Sequence, residues 1–443
     1  MRSSRSRRFI LLLVIACLFL TGAFFVRSWI NGSVPASSPT TAARLGSSVT
    51  LYDSIAQMQA RIENNNSDHE AYAQLGLLFL QRVRSGGDAA DYTRADQAFD
   101  AALQLEPNQM DAMVGKGILS LSLHDFHAAL EWAEKARKLN PYRPDILGIM
   151  TDAHVELGEY DEALVVLQEM VNMRPGIASY TRMAYYRELH GDVDGAIKAM
   201  QDAANIGLPG EEPTLWSLVQ LGNLYFNRGD LAGAETIYEV ALSQSPDYLY
   251  ALGAQAKVWA AQGRYEDAIA QYRQIGTRIP LPEFAIALGE LLEATGDMQG
   301  AQEQYDLVEV MQALNTSVGM NVDLEMALFD TDHGEDKAAA LAQAEVTYAE
   351  RPTIYAADVL AWALYHNDRA DQALPYIEEA MRLGTKDARL FYHAGMIALA
   401  QDEKQDARQY LKTAFTINPH FSPLEAPIAK DTLATLDAGA STE

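Results

Sequence analysis

A small residue recurs at an almost constant interval through most of this 443-residue chain, and that period constrains the fold more than any other feature. The residue is alanine, at positions Ala95, Ala129, Ala163, Ala196, Ala234, Ala268, Ala301, Ala340, Ala373 and Ala407. Consecutive members of this set are 33 to 39 residues apart. Periods of roughly 20 to 45 residues are typical of stacked units, each of which buries its apolar face only against its neighbours. The period predicts a repeat array rather than one large core.

Residues 218–248 show what each repeat contains. A first run places apolar or small residues on one helical face, at Leu218, Leu221, Gly222 and Tyr225. Gly229-Asp230 then breaks the helix. A second helical face follows, with Ala234, Tyr238 and Ala241, and Pro246 ends the unit. Because Gly222 and Ala234 are small, we expect the paired helices to approach closely, with the tyrosines filling the space between them.

This unit resembles the tetratricopeptide repeat (TPR) consensus, and the resemblance extends over residues 69–419. The closing proline also recurs, at Pro107, Pro141, Pro175, Pro246, Pro280, Pro352 and Pro419. The resemblance implies an all-α protein, a right-handed superhelical α-solenoid of about ten TPR helix pairs. It further implies a protein of bacterial type that binds other macromolecules.

The N-terminus has the pattern of a membrane signal-anchor. Four arginines precede an uninterrupted run of low polarity at residues 9–26, and Arg27 and Trp29 follow it. Eighteen residues of helix span roughly 27 Å, close to the hydrocarbon thickness of a bilayer. The arginine bias places residues 1–30 as a cytoplasmic stub and transmembrane helix, with the array outside, periplasmic or extracellular. Two alternatives stay open: a lipoprotein attached through Cys17, and cleavage near Ala36.

The segments that flank the array differ from it in composition. Residues 31–48 are rich in Ser, Thr, Pro and Ala, which predicts a flexible linker. Residues 49–68 are expected to form an N-terminal capping helix, and residues 420–436 a C-terminal one that covers the last apolar face. The final stretch, 437–443, is expected to be disordered.

Charge and motifs exclude several functions. The formal net charge is −26 although the N-terminus is basic, so the body would repel phosphate backbones and nucleic-acid binding is not expected. Cys17 is the only cysteine, so no disulfide framework or thiolate metal site can be built. Residues that match a nucleophile elbow, a phosphate-binding loop or a zinc motif are absent from the sequence. We therefore predict no catalytic, cofactor-binding or metal site.

The first helix of each repeat lines the inner surface of a TPR array, and here its inward positions are rich in acidic and aromatic residues. The candidate partner-binding residues are Asp152, Tyr185, Glu188, Trp216, Asn223, Phe226, Tyr250, Glu290, Glu325, Asp358, Trp362 and Tyr392. Lys257 and Arg389 are the only basic residues at such positions. The cationic pair that a TPR clamp for a C-terminal carboxylate requires is absent, so capture of chaperone tails is disfavoured.

These features predict a membrane-anchored scaffold or adaptor that binds other proteins in an acidic, aromatic concave groove, in cell-envelope assembly. The partner is expected to offer a basic segment or one that stacks on aromatic rings. One alternative is a glycan or cell-wall contact protein that stacks sugars on the groove aromatics. The other is an enzyme whose active site is assembled within the solenoid, for which no matching site is found.

Overall fold

The computed structural model describes residues 50–84, 90–278, 281–319 and 324–440. Within these ranges the regular secondary structure consists of 22 α-helices, and no strand is present. No helix in them is long and apolar enough to cross a bilayer. The predicted cytoplasmic stub, membrane helix and linker all lie outside the described residues.

Ten successive helix pairs form an α-solenoid, as predicted. The first five are α2 His69–Arg84 with α3 Ala90–Leu105, α4 Met110–Ser122 with α5 Phe126–Leu139, α6 Pro144–Glu156 with α7 Tyr160–Met173, α8 Ile177–Leu189 with α9 Val193–Ile206, and α10 Glu212–Asn227 with α11 Leu231–Gln244. The next five are α12 Leu249–Ala261 with α13 Tyr265–Arg278, α14 Pro282–Ala294 with α15 Met298–Ser317, α16 Leu324–His333 with α17 Lys337–Glu350, α18 Ile354–His366 with α19 Ala370–Ala380, and α20 Ala388–Ala400 with α21 Lys404–Ile417. We number these pairs as repeats 1 to 10.

One further helix stands at each end of the array, where capping helices were predicted. The N-terminal helix, α1, is Leu51–Asn64, and the C-terminal helix, α22, is Glu425–Ala440. Helix α22 therefore continues past residue 436 into the stretch that was expected to be disordered. The reason is Arg408 on α21, which donates to the carbonyl oxygen of Leu436 at 2.6 Å and lies 3.1 Å from the carboxylate of Asp437.

The Gly-Asp dipeptides between paired helices act as a turn and a cap. Gly229 has a φ of 82°, a left-handed conformation that glycine adopts at little cost. The carboxylate of Asp230 then accepts a hydrogen bond of 2.9 Å from the backbone N–H of Gly233, which caps α11. Gly191 and Asp192 repeat the arrangement ahead of α9. The breaker inferred from the sequence thus ends one helix and starts the next.

The recurring alanines are buried where the second helix of each pair packs on the first. All ten are buried, with exposed fractions of 0 to 4%. The neighbouring glycine serves the same purpose, because a Cβ at Gly222 would lie only 2.2 Å from the ring of Tyr238. Tyr238 itself is fully buried, and Tyr225 packs beside it. The predicted packing of small residues against aromatic rings is confirmed.

The described helices divide into two compact units. Of the described residues, the first unit holds 50–84, 90–153, 281–282 and 309–319. The second unit holds 154–278, 283–308 and 324–440. In the first unit Phe99 is fully buried, and its ring fills the space left by Gly76 and Gly115. The second unit contains several small apolar clusters along its helices, as expected of an array without one central core.

Candidate binding surface of the second unit

The first helices of repeats 4, 6, 7, 9 and 10 bring charged and aromatic groups together inside the second unit. We call this group of residues the inner face and define it as Tyr185, Glu188, Lys257, Glu290, Tyr355, Asp387 and Arg389. The set spans about 200 positions of sequence. Repeated placement of similar positions on successive helices is what a solenoid provides.

His393 on α20 is held between two carboxylates behind the inner face. Its Nδ1 lies 2.9 Å from Oδ1 of Asp358, and its Nε2 lies 3.5 Å from Oε1 of Glu425. The imidazole is fully buried, and Trp362 stacks on it with ring centroids 4.2 Å apart. Burial alone would lower the pKa of His393, but Asp358 and Glu425 outweigh it and raise this pKa to about 10. The ring is therefore an imidazolium at neutral pH.

Arg389, one helical turn before His393, lies near three carboxylates, those of Glu425, Glu290 and Asp332. Its Nε lies 2.7 Å from Glu425, and its Nη2 lies 3.9 Å from Glu290 and 4.0 Å from Asp332. Asp332 also accepts a hydrogen bond of 2.8 Å from Nε1 of Trp362. Two of the acids predicted to face a partner, Glu290 and Asp358, are thus already paired with cations of the same chain. Because these carboxylates are paired with cations of their own chain, they are less available to bind a partner protein.

Glu188 and Asp387 also belong to the inner face, and their carboxylates accept hydrogen bonds from uncharged donors. Oε1 of Glu188 accepts a hydrogen bond of 3.3 Å from Nδ2 of Asn227. Asp387 caps α20 and accepts from the backbone N–H groups of Arg389 and Leu390. Burial raises the pKa of Glu188 to about 7, with Asp387 adding to the effect and the Asn227 bond opposing it. Burial and the charge of Asp358 raise the pKa of Asp387.

Lys257 is the more exposed of the two cations on the inner face. Its side chain is exposed, and its ammonium lies 4.5 Å from the ring centroid of Phe226. Although solvent reaches this side chain, the protein that surrounds it lowers the pKa of Lys257, and Arg389 lowers it further, whereas Glu290 and Asp387 raise it. A cation over an aromatic face is itself a favourable contact. Phe226 therefore binds a lysine of its own chain rather than standing free in a groove.

The remaining candidates of the second unit have structural contacts. Oδ1 of Asn223 accepts a hydrogen bond of 2.7 Å from the hydroxyl of Tyr238, which ties α10 to α11. Trp216 is buried, and so is Tyr392, which packs against Trp362 and Phe421. Tyr250 is half-buried, with its ring 6.3 Å from that of Phe284. These side chains stabilise the repeats that carry them.

Two candidates stand apart from the others. Glu325 is half-buried in the first turn of α16. Asp152 is buried on α6 and belongs to the first unit, whereas the inner face belongs to the second. Of the twelve predicted residues, the structure therefore places Tyr185, Glu188 and Glu290 on the inner face.

Sequence reasoning missed the residues that neutralise and complete this surface. His393 and Asp387 were not singled out, and Glu425 was assigned only to a capping helix. A local pattern gives no signal for His393 and Glu425, because their partners Asp358 and Arg389 lie 35 and 36 positions away, one repeat along the chain. Asp387 is an N-cap with local partners, and an Asp directly before a helix is a signal that could have found it. Within the described residues no group of three or more potential ligands is placed to hold a metal ion.

Comparison with known proteins supports the repeat assignment. A family model for the tetratricopeptide repeat matches residues 80–144, 219–280 and 359–420. The CTR9 homolog of Arabidopsis thaliana is 25% identical over 57% of this chain and 25% of its own length. The chain spans at most a quarter of the length of the first three curated relatives it matches.

The solved structures that resemble this chain include one from a bacterium and one from human. TTC0263, a thermophilic TPR protein of Thermus thermophilus, has a TM-score of 0.39 at 21% identity and covers 43% of this chain and 99% of its own. Human IFIT1, in a dimer with PPP-AAAA, has a TM-score of 0.47 at 14% identity and covers 74% of this chain and 77% of its own.

The three stretches that the family model matches fall on repeats 1 and 2, 5 and 6, and 9 and 10. Each of these pairs of repeats is built on the buried alanines and helix pairs described above. Residues 80–144, 219–280 and 359–420 therefore carry tetratricopeptide repeats.

Proposed function

We propose that the protein is a membrane-tethered TPR scaffold that binds a basic segment of a partner protein on the inner face of its second unit. The tether is the apolar run at residues 9–26, with the array on the outer side of the membrane, in a role in cell-envelope assembly. TPR proteins bind other proteins, which supports the general assignment. The partner's chemistry follows from the charges of the inner face.

The observation that carries this proposal is an excess of carboxylates on and behind the inner face. Six carboxylates gather there, from Glu188, Glu290, Asp332, Asp358, Asp387 and Glu425. Three cations face them, Lys257, Arg389 and His393. Neutral groups hold Glu188 and Asp387, so a lysine or arginine from a partner would add the missing positive charge.

Aromatic rings support the same assignment. The inner face carries Tyr185 and Tyr355 next to Glu188 and Asp387. A cationic side chain could contact a carboxylate and an aromatic ring at once, which is a more specific arrangement than charge alone. An acidic partner would instead be repelled by the excess of carboxylates.

Capture of partners from envelope extracts tests the proposal. The full chain in detergent would be immobilised and compared with a Glu188→Gln/Asp387→Asn variant, which keeps the shapes and the α20 cap but removes both acidic groups. The matched control is Glu239→Gln/Glu266→Gln, two exposed acids on second helices of the same unit. We expect basic partners that the first variant loses and the control retains. Capture of the same partners by all three proteins would contradict the assigned surface.

A further inference from the structure

In the second unit, the turns of repeats 3 to 5 contact the loops that enter or follow repeats 9 and 10. A Cβ at Gly158 would lie 2.3 Å from the carbonyl oxygen of Pro352, and one at Gly191 would lie 2.3 Å from that of Gly384. One repeat further on, a Cβ at Gly229 would lie 3.1 Å from the carbonyl oxygen of Ile417. Backbone thus meets backbone at three successive repeats. We call this line of contact the seam.

Polar bonds cross the seam at the same three levels. At the first, Glu156 forms a buried ion pair with Arg351, and the hydroxyl of Tyr160 accepts from the backbone N–H of Ile354 at 3.1 Å. At the second, the hydroxyl of Thr385 donates to the carbonyl oxygen of Leu189. At the third, Nδ2 of Asn418 donates to the carbonyl oxygen of Phe226 at 3.0 Å. The bonded residues are 192 to 196 positions apart in the chain.

The apolar part of the seam is small. Ile354 packs with Val155, Tyr160 and Leu189 in one cluster of five buried residues. Four partly buried side chains pack against this cluster: Tyr185, Tyr186, Tyr355 and Leu383. Arg382 lies over the ring of Tyr160, and the glycine backbone and the polar bonds described above add to the contact. An interface with little apolar burial can open at a lower free energy than the helix pairs on either side of it.

Closing the seam brings the two sides of the inner face together. Tyr185 and Glu188 stand on α8, directly before the turn that contacts Gly384. Tyr355 and Asp387 stand on the opposite side and interact with them. The bond between Thr385 and Leu189 brings Glu188 and Asp387 to the same level of the seam. Asp387 raises the pKa of Glu188, so the like charges of the two carboxylates oppose closure.

We propose that the seam is a gate that opens to admit a basic partner segment and closes over it. This inference rests on the proposed function and adds how the ligand enters and what it does to the fold. A cation between Glu188 and Asp387 removes the repulsion that opposes closure, so binding and closure favour each other. Linkage requires the coupling to be reciprocal: a seam that opens more easily must bind the same segment less tightly.

Distance measurements between two spin labels test the gate directly. The labels would be placed on exposed sites on either side of the seam, through Asp194→Cys and Lys386→Cys in a Cys17→Ser background. The reference pair, Glu162→Cys with Asp194→Cys, lies on one side only. The ligand would be a synthetic 12-residue Lys/Arg peptide, with a Glu/Asp peptide as its control, added to the full chain in detergent.

If the seam is a gate, the labels at positions 194 and 386 should show both a short and a longer distance without peptide. The basic peptide should shift the population to the short distance. The reference pair should not change. A single short distance in both conditions, with the basic peptide bound, would overturn the gate and leave the proposed function standing. Failure of the basic peptide to bind at all would instead refute the proposed function, whatever the seam does.

Two glycine variants provide an independent test on the seam itself. Gly158→Ala and Gly191→Ala would push a methyl group into opposing backbone, whereas Gly263→Ala and Gly296→Ala, also at positive φ, would meet nothing within 4 Å. All four variants place an alanine at positive φ, so the backbone strain of that conformation is common to both sets. The seam variants should therefore raise the population of the longer distance and weaken peptide binding about tenfold relative to the controls. Equal distances and equal affinities for the two sets would contradict the gate.

Discussion

At the scale of single residues, sequence period and side-chain size determine most of the packing. The ten alanines and the glycines beside them could be placed from sequence because their role is local, within one helix pair. The charge pairs could not be predicted from sequence. The inward positions of Asp358 and Glu290 were predicted, but their pairing with His393 and Arg389 depends on the angle between successive repeats. No single repeat encodes that angle in a readable pattern.

The alanines should be sensitive to size. Ala268→Leu places a larger side chain at a fully buried contact and should cost about 1–3 kcal/mol of unfolding free energy. Gln262→Lys, at an exposed position that hydrogen-bonds Glu235, should cost less than about 0.5 kcal/mol. Chemical denaturation of the two variants beside the parent chain would measure both. Equal shifts would refute the assigned helix register.

His393 should stabilise the fold as a cation. Because its pKa is raised from 6.5 to about 10, its contribution is fully present below pH 6.5 and is lost as the pH rises through about 10. His393→Ala leaves Asp358 and Glu425 buried without their shared cation and should cost about 3–5 kcal/mol at pH 7. The exposed His420→Ala is the matched control. A wild-type chain whose stability does not fall between pH 7 and 10 would argue against a protonated ring.

At the scale of elements, most helix boundaries follow from turn and cap chemistry, and the C-terminal end of α22 is the exception. The Gly-Asp turns and the two end helices were predicted from local signals. The end of α22 was not, because Ala440 is reached only with the help of Arg408 on the preceding helix. Tertiary contacts thus extend a helix that its own sequence leaves ambiguous.

Helix α22 should be essential to the last repeats. Its Glu425 binds both Arg389 and His393, and its Ala429 and Leu436 cover Leu411 and Tyr392. Deleting residues 425–443 should therefore lower the unfolding free energy by about 3 kcal/mol or more, and by far more than Lys430→Ala on the exposed side of the helix. Hydrogen exchange would show the loss as faster exchange in α20 and α21. Unchanged protection there would mean that α22 is dispensable.

At the scale of the whole molecule, the seam is the feature that sequence reasoning could not reach. Each repeat resembles its neighbours, so the period fixes the kind of array but not which distant repeats meet. The contacts between Gly158 and Pro352, or between Gly191 and Gly384, result from small rotations added over about six repeats. An error in the rotation between neighbouring repeats is negligible within one helix pair, but it accumulates over about six repeats. Sequence alone therefore does not predict which distant repeats meet.

The membrane tether makes its own prediction. The full chain should sediment with membranes and require detergent for release, because residues 9–26 are expected to span the bilayer. A variant that lacks residues 9–26 should remain in the supernatant. Recovery of the intact chain from the soluble fraction, without cleavage near Ala36, would remove the tether from the proposed function.

The most direct test of the central claim is a titration of the labelled 12-residue Lys/Arg peptide with the full chain, followed by fluorescence anisotropy at low and high salt. We predict binding that weakens as salt rises and that weakens about tenfold more in Glu188→Gln/Asp387→Asn. The exposed-acid control Glu239→Gln/Glu266→Gln should match the parent chain. Binding that ignores salt, or equal affinity for all three proteins, would contradict an acidic inner face that recognises a basic segment.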